Sequence, residues 1–374
     1  MNYANSSIQF SYEYELVDNS DLSTSYGYLN CVTGEPKITW SYDSELRCSA
    51  TLDLDDTTQL TGYYAIRIWL IARDTNTGET ERRMLGTFLY DRSGGNYKLG
   101  RETSTLDLYS MLYRHQTDMR ATNTSISAST VCMTQFERSV ENGGGKPNYD
   151  TANLSTTKTF GKSFVREAGE AVISHLQLIA DTVGGYLGVN PKGEITMTRY
   201  IPPAQRINTF ELKSTDYILA SGINIAFPKI INKVVATYTY NSTSGGTSNT
   251  VVLNASSQIT EDAHPWSFAN LKVWKTEVIQ PDTVEQNDSV ATIQQKLQIA
   301  ANQRLAEILA QTSTLTIKTI YNPALIDGAV GTVEYADSPN STPLRYRAVI
   351  NNIEMTCNAG AIMTLTLGVL NAYN

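Results

Sequence analysis

Between Ile66 and Tyr90 an apolar run, a polar loop containing glycine and a second apolar run follow in order, and this succession confines the segment to β structure. Ile66, Ile68 and Leu70 alternate with Arg67, Trp69 and Ile71; then come Asp74-Thr75-Asn76-Thr77-Gly78-Glu79 and Met84 to Leu89. A period of two puts one set of side chains on each face of a strand, and the glycine loop turns the chain back, so the segment reads as a hairpin. The same style extends along the chain. Charged residues make up only 18%, while 22 Tyr stand against 8 Phe. Tyr and Thr suit a pleated, half-buried surface, and Asn, Ser and Gly supply its turns. By size alone, the 374 residues divide into about two to three domains.

From Ile38 to Tyr90 the pattern predicts strands separated by turns, and Leu106, Leu108, Met111 and Leu112 predict a short helix within Thr105–Tyr113. Periodicity then fades from His115 to Lys158, a stretch that includes Gly143-Gly144-Gly145-Lys146-Pro147. A long stretch without pattern marks a linker or contact arm. The clearest helix is predicted over Phe164–Val183, with Phe164, Ala168, Val172, Leu176, Ile179 and Val183 on one stripe. Ser163 caps it, Glu167 sits in its first turn and Gly184-Gly185 stop it. Tyr186–Val189 and Glu194–Tyr200 flank a turn at Asn190-Pro191-Lys192-Gly193, and the unit ends at Ile201-Pro202-Pro203.

Strands resume after Phe227-Pro228, at Lys233–Tyr240 and Thr250–Asn254, around a flexible tip at Asn241–Asn249. A second helix is predicted over Val290–Ala310, with Ile293, Leu297, Ala301, Leu305 and Ile308 on one stripe and Asp288 or Ser289 as cap. Thr314–Tyr321, Val330–Tyr335, Leu344–Glu354 and Ile362–Val369 read as closing strands. The fold class is therefore α+β, mainly β. Residues 1–135 are expected as a first β domain, barrel or sandwich, with a short helix, 136–160 as a loop or linker, and 161–227 as a small α/β domain of helix plus hairpin. Residues 228–374 are expected as a second β domain of the same kind, with an insertion at about 257–311 carrying the long helix. One internal similarity supports this plan. The strand Ile66–Ile71 and the Arg-led strand Arg82–Phe88 are echoed by Val330–Tyr335, a turn at Asp337-Ser338-Pro339-Asn340 and Arg345–Ile350, as two related barrels or sandwiches would leave.

The chemistry-bearing residues nominate no catalytic, cofactor or metal site. Net charge is −8, and basic clusters go no further than pairs such as Arg82 and Arg83, whereas tight nucleic-acid binding needs clustered cations. Cys31, Cys48, Cys132 and Cys357 share no CxxC spacing and read as buried reduced thiols. His115, His175 and His264 read as packing or surface residues, and His175 has no HExxH context. Asp53, Asp55 and Asp56 lack the glycine and distal glutamate of a calcium loop and read as a strand end. Glu167 and Glu170 lie too close in sequence for glycoside chemistry, whose carboxylates come from separate elements. Gly143–Gly145 with Lys146 is no phosphate loop, because Pro147 follows the lysine. Trp266 and Trp274 read as packing residues. The chain is accordingly expected not to be an enzyme. The opening MNYANSSIQFSYEYEL lacks a secretion signal, and the best apolar stretch, Tyr63–Ala72, contains Arg67, so membrane insertion is not expected.

Four segments in order resemble the tail-hub (baseplate hub) proteins of tailed bacteriophages and related contractile injection particles. They are Ile66–Tyr90 with its Leu85-Gly86-Thr87-Phe88, Ser104–Tyr113, Phe164–Pro203, and the stretch from Ile231-Asn232-Lys233-Val234-Val235 through to Pro323–Val330. The chain departs from the family pattern at Lys233, where Arg is commoner, and at Ala329, where Asp usually follows the glycine. The resemblance implies a homotrimer closing the tail tube, each subunit supplying two tube-like β-barrels so that three chains meet a hexameric ring. It implies as partners the tail tube or distal tail protein, a tail tip or spike protein and the tape measure protein, with genomic DNA passing through without specific binding. The place implied is the tail tip or baseplate of a virion, after assembly in the host cytoplasm. Some relatives continue into a peptidoglycan-cleaving or fibre-like region; none follows before Asn374, so lytic activity is not carried over. A low charge fraction suits a surface made for neighbouring subunits. The alternatives are a β-sandwich surface adhesin binding glycans through Tyr and Trp, and a cell-wall hydrolase.

Overall fold

The computed structural model describes residues 3, 7–56, 60, 64–98, 101–213, 216, 224–226, 231–244, 247–260, 267–281, 284, 288–310, 314–335 and 344–373. Strands β1 (Ile8–Asp18), β2 (Ser25–Tyr28), β3 (Val32–Ser41), β4 (Cys48–Leu54), β5 (Tyr64–Asp74), β6 (Thr80–Lys98) and β7 (Arg101–Ser110) open the chain. A mixed stretch follows: α1 (Tyr113–Thr117), β8 (Thr124–Ile126), α2 (Cys132–Asn142), β9 (Pro147–Tyr149), β10 (Phe164–Arg166), α3 (Val172–Val183), β11 (Gly185–Val189), β12 (Ile195–Arg199) and β13 (Phe210–Leu212). Then come β14 (Asn224–Ala226), β15 (Lys233–Ser244), β16 (Thr247–Gln258), α4 (Phe268–Leu271), β17 (Thr276–Ile279) and α5 (Val290–Ala310). The chain closes with β18 (Thr314–Ile320), β19 (Val330–Tyr335), β20 (Leu344–Thr356) and β21 (Ile362–Tyr373). It divides into two units, one of Met1–Ile223, Thr316–Pro343 and Val349–Leu367, the other of Asn224–Leu315, Leu344–Ala348 and Gly368–Asn374.

The first unit is built on a large, mainly antiparallel sheet running β18-β21-β20-β3-β4-β7-β6-β5-β1-β2, with β19 joined to β20 and β13 to β19. The expected hairpin is β5 and β6, with Ile66 opposite Phe88. Ile66, Ile68 and Leu70 are wholly buried, while Arg67, Trp69 and Ile71 are half-buried, as alternation requires. Gly78 takes a positive φ of 73° in the connecting turn, a conformation glycine adopts without cost. Strands β3 and β20 pair through Ile38 opposite Met355 and Trp40 opposite Ile353. Residues 228–374, expected as one domain, therefore divide between the two units. Pairing across some 300 residues leaves no local trace in a sequence.

In this unit three expected elements differ. Within Thr105–Tyr113 a helix was predicted, but β7 runs to Ser110 and the helix is only Tyr113–Thr117. Leu106 and Leu108, both wholly buried, belong to a period of two, and neighbours on both sides, β4 and β6, hold them in the sheet. The 136–160 loop carries part of α2 and all of β9, which pairs parallel with β12. Cys132, Met133, Phe136 and Val140 are buried on one side of α2; the Thr, Gln, Glu and Arg between them mask the stripe. Finally, the helix expected from Phe164 begins at Val172, because Phe164–Arg166 pairs with Thr124–Ile126 as a strand. Gly169, at φ 86°, is incompatible with helix. Glu167 consequently lies ahead of the first helical turn.

The middle of this unit contains a duplication. β8 and α2 recur as β10 and α3, 40 residues on (124 to 164, 132 to 172). The contacts are reciprocal: Met119 bridges Ala171 while Val131 bridges Thr159. The Val172 amide donates to the Asp118 carbonyl at 3.0 Å, and the Cys132 amide to the Lys158 carbonyl at 2.8 Å. The Ala168 amide donates to Asn123 Oδ1 at 2.8 Å and the Ala128 amide to Ser163 Oγ at 3.0 Å. Ser125 lies opposite Val165 across the local two-fold axis. Five matching helix positions are buried in both copies: Cys132 and Val172, Met133 and Ile173, Phe136 and Leu176, Ser139 and Ile179, Val140 and Ala180. All but Ser139 meet in one core with Met111, Leu112, Leu187, Ile195 and Met197.

In the second unit α5 packs on the β15–β16 hairpin. Ile293, Leu297, Ala301 and Leu305 meet Val234 and Ala236 in its core, as the stripe predicts. Ser289 is the cap, its Oγ accepting from the Thr292 amide at 3.1 Å, and Lys296 pairs with Asp288 at 2.6 Å. Of the expected flexible tip at Asn241–Asn249, the described residues Asn241–Ser244 and Thr247–Asn249 are instead paired strand, with Ser244 opposite Thr247. Each unpaired backbone group brought into the ladder gains a hydrogen bond. The predicted turn at 337–340, His264, Trp266 and Phe227-Pro228 lie outside the described residues. The fold is mainly β, with a large antiparallel sheet and few helices.

Candidate functional site

Within the first unit, the α/β module is fastened to the large sheet by an aromatic and cationic stack. Tyr42, just after β3, and Tyr186 of β11 stack with centroids 4.9 Å apart and planes at 10°. Arg47 lies 4.3 Å over the Tyr186 ring and Arg206 4.8 Å over that of Tyr42. The rings' negative faces attract both guanidinium groups. Arg47 Nε donates to the Leu187 carbonyl at 2.9 Å, and the Tyr186 hydroxyl to the Tyr42 carbonyl at 3.0 Å. Arg206 also donates to the Gly328 carbonyl and the Tyr42 hydroxyl. A Cβ on Gly328, at φ 74°, would stand 2.4 Å from Tyr42 Cδ2. The stack has no sequence signal, because Tyr42 with Arg47, Tyr186 and Arg206 come from three segments set apart in the chain.

Beside this stack is a cavity of about 430 Å³, its lining including Trp40, Cys48, Phe88, Leu325, Asp327 and Met363. Burial holds the Asp327 carboxyl above its ordinary range, against the opposing pull of Arg47. Burial and the nearby Asp327 carboxylate hold Cys48 far up as a thiol. Arg83 also lines the cavity, but a thiol held so strongly in its protonated form is a poor nucleophile. A second cleft of about 340 Å³ includes Asp21, Arg67, Arg114, Lys146, Lys192 and Glu194. Hydrogen bonds from Asn148 and Asn190, and Lys146 at 3.0 Å, draw Glu194 down to about 2.

The residues weighed for chemistry are dispersed. His115 and His175 are wholly buried, and among the described residues neither ring nitrogen of either has a hydrogen-bond partner. Burial first, and neighbouring arginines second, lower them to about 4 and about 3, so both are neutral imidazoles. The triple glycine makes room for the first of them: a Cβ on Gly143 would lie 2.3 Å from His115 Cε1, and one on Gly145 3.0 Å from its Nε2. Lys146 pairs with Glu194 rather than heading a phosphate loop. All four cysteines are free, and burial raises each thiol, Cys357 to about 12. Asp53 accepts from Thr105 Oγ1 at 2.7 Å and the Asp55 amide donates to the Cys31 carbonyl, which makes this cluster a strand end. Glu170 faces Arg166 at 3.5 Å. Trp274 stacks on Phe268 at 4.8 Å beneath Lys233. Among the described residues, no three His, Cys, Asp or Glu groups come together as metal ligands, and no helix is long and apolar enough to cross a membrane.

Comparison with known proteins gives no match by sequence: no family model matches the chain and no curated protein does. By structure the outcome differs. A 43 kDa tail protein of prophage MuSo2 from Shewanella oneidensis superposes with a TM-score of 0.60 at 12% identity, over 96% of this chain and 98% of that one. The chain has the fold of a tail protein. A tail protein from Neisseria meningitidis agrees with a TM-score of 0.57 at 12% identity, over 96% of both chains. The tail-protein fold also lies within a chain of the Francisella PdpA-VgrG complex, with a TM-score of 0.56 at 9% identity, over 98% of this chain and 58% of that one.

Proposed function

We propose that this chain is a structural tail hub, a homotrimer that joins a hexameric tail tube to the tail tip or baseplate and forms part of the DNA passage. The observation that carries this reading is the end-to-end likeness in fold to the prophage MuSo2 tail protein, 96% of one chain against 98% of the other. A partial likeness would fit a module borrowed for another use; a full-length one favours the same part in a tail. In this reading the strands around the β5–β6 and β19–β20 hairpins act as two tube-like barrels, so three chains offer six similar surfaces to a six-fold ring. A repeated heterologous contact closed by rotation gives such a ring with a channel. The tail tube or distal tail protein lies on one side, a tip or spike protein on the other, and the tape measure protein ends at the hub. A net charge of −8 suits a passage that releases DNA, since phosphate is retained by clustered cations. The role is that of a scaffold, not an enzyme.

Mass measurement of the purified chain over a range of concentrations tests the assembly. The reading expects a species of three chains. A monomer at every concentration, together with a cleared band when the chain is assayed on bacterial cell wall, would favour the hydrolase alternative instead.

A further inference from the structure

The duplicated module carries one mismatch with chemical content. Where the first copy buries Ile126, 6% exposed, the second buries Arg166, 2% exposed, at the equivalent position of a paired three-residue strand. An apolar side chain thus suffices for the fold at this position. Among the described residues, Nε and Nη2 of Arg166 have no well-aligned hydrogen-bond partner, and neither has Nε of Arg120. Glu170 Oε2 approaches Arg166 Nε no closer than 3.5 Å, and Arg120 spends one nitrogen on Thr124 Oγ1.

These side chains share one neighbourhood. Burial lowers Arg166 first and Arg120 second, with Glu170 and Asp118 opposing them. His175, packed 6.0 Å from the Phe160 ring and 6.3 Å from that of Phe164, feels both arginines. Its two ring nitrogens are unpartnered as well, so five buried nitrogens of three residues lack hydrogen bonds here. A buried donor left unmade is costly, more so when charged, and native proteins satisfy such groups with a partner, a water or an ion. Arg166 lies opposite Thr124 in the strand pair and Arg120 donates to the Thr124 hydroxyl, so the two cations are neighbours, and the charge that Glu170 leaves unanswered selects a negative partner among these. The guanidinium fork presents parallel N–H donors matched to an oxyanion. The Arg120 amide donates to the Glu170 carbonyl at 3.1 Å, which places Arg120 at the start of α3. That 12-residue helix has no side-chain cap at Ala171, so its positive end adds to the same field. Arg120 and Glu170 are half-buried and leave an approach from solvent.

We infer that Arg120 and Arg166 hold a small oxyanion of the phosphate or sulfate kind beside the start of α3. The test uses the full chain and inorganic phosphate, titrated by calorimetry and followed by thermal unfolding, against chloride at matched ionic strength and with sulfate in a second series. One saturable site per chain is expected, with a rise in Tm that saturates with it. Arg166→Ile, which installs the residue of the first copy, is expected to fold and to lose the site; Arg120→Gln is expected to weaken phosphate by about tenfold or more, the loss of a charged hydrogen-bond pair. Absence of a saturable site in the native chain overturns the inference, as does equal stabilisation of native chain and both variants. Should Arg166→Ile fail to fold, unchanged affinity in Arg120→Gln is sufficient to overturn it.

Discussion

Tyr42 and Tyr186, 144 residues apart, stack nearly parallel at 4.9 Å, and the pair joins the large sheet to the α/β module. Removing one ring leaves the other, with its arginine, facing a void. Tyr186→Ala is expected to cost about 2–4 kcal/mol, and Tyr186→Phe, which loses only the hydroxyl bond to the Tyr42 carbonyl, about 1 kcal/mol. Denaturant unfolding of the two variants separates ring from hydroxyl. Equal losses would show that stacking contributes nothing.

Gly143 and His115 form a second close fit. Gly143→Ala places a methyl group against the buried imidazole and is expected to cost about 2 kcal/mol through overpacking. In a His115→Ala background the same change should cost much less, and a double-mutant cycle reads that coupling directly. Additive losses would contradict the fit.

The two buried histidines also set a dependence on pH. Their folded values, about 4 for His115 and about 3 for His175, lie below the ordinary value of about 6.5. As pH falls below that value the unfolded chain takes up protons that the folded chain refuses. Stability is therefore complete above about pH 6.5 and declines towards pH 4, by an amount on the order of 3 kcal/mol for each histidine. Unfolding of the native chain and of His175→Leu between pH 7.5 and 4 should show a shallower decline in the variant.

Leu297, wholly buried where α5 meets the β15–β16 hairpin, anchors the second unit. Leu297→Ala is expected to cost about 3 kcal/mol. Hydrogen exchange should report the loss first in β15, β16 and α5, and protection lost equally across β1 to β7 would argue against two units.

Legibility in the sequence followed the range of the interactions. The β5–β6 hairpin, the stripe of α5 and its Ser289 cap all depend on neighbours within a few residues, and each is where its pattern places it. Leu106 and Leu108 misled because two more leucine-like residues, Met111 and Leu112, extend a period of two into an apparent period of 3.6. Phe164 and Ala168 misled because they fall in phase with the true helix beyond Gly169. The duplication was invisible because of residues 118–142 and 158–182 only Ala128 and Ala168 coincide, although burial is kept at position after position. The stack of Arg47, Tyr186, Tyr42 and Arg206 required the fold itself.

The proposed role is that of a ring of these chains at the end of a tail tube. Electron microscopy of the particle that contains the protein tests it most directly, since symmetry, neighbours and channel are seen together. Three copies around the axis, between a six-fold tube ring and the tip, are the predicted result. A single copy, or its absence from the particle, would contradict it.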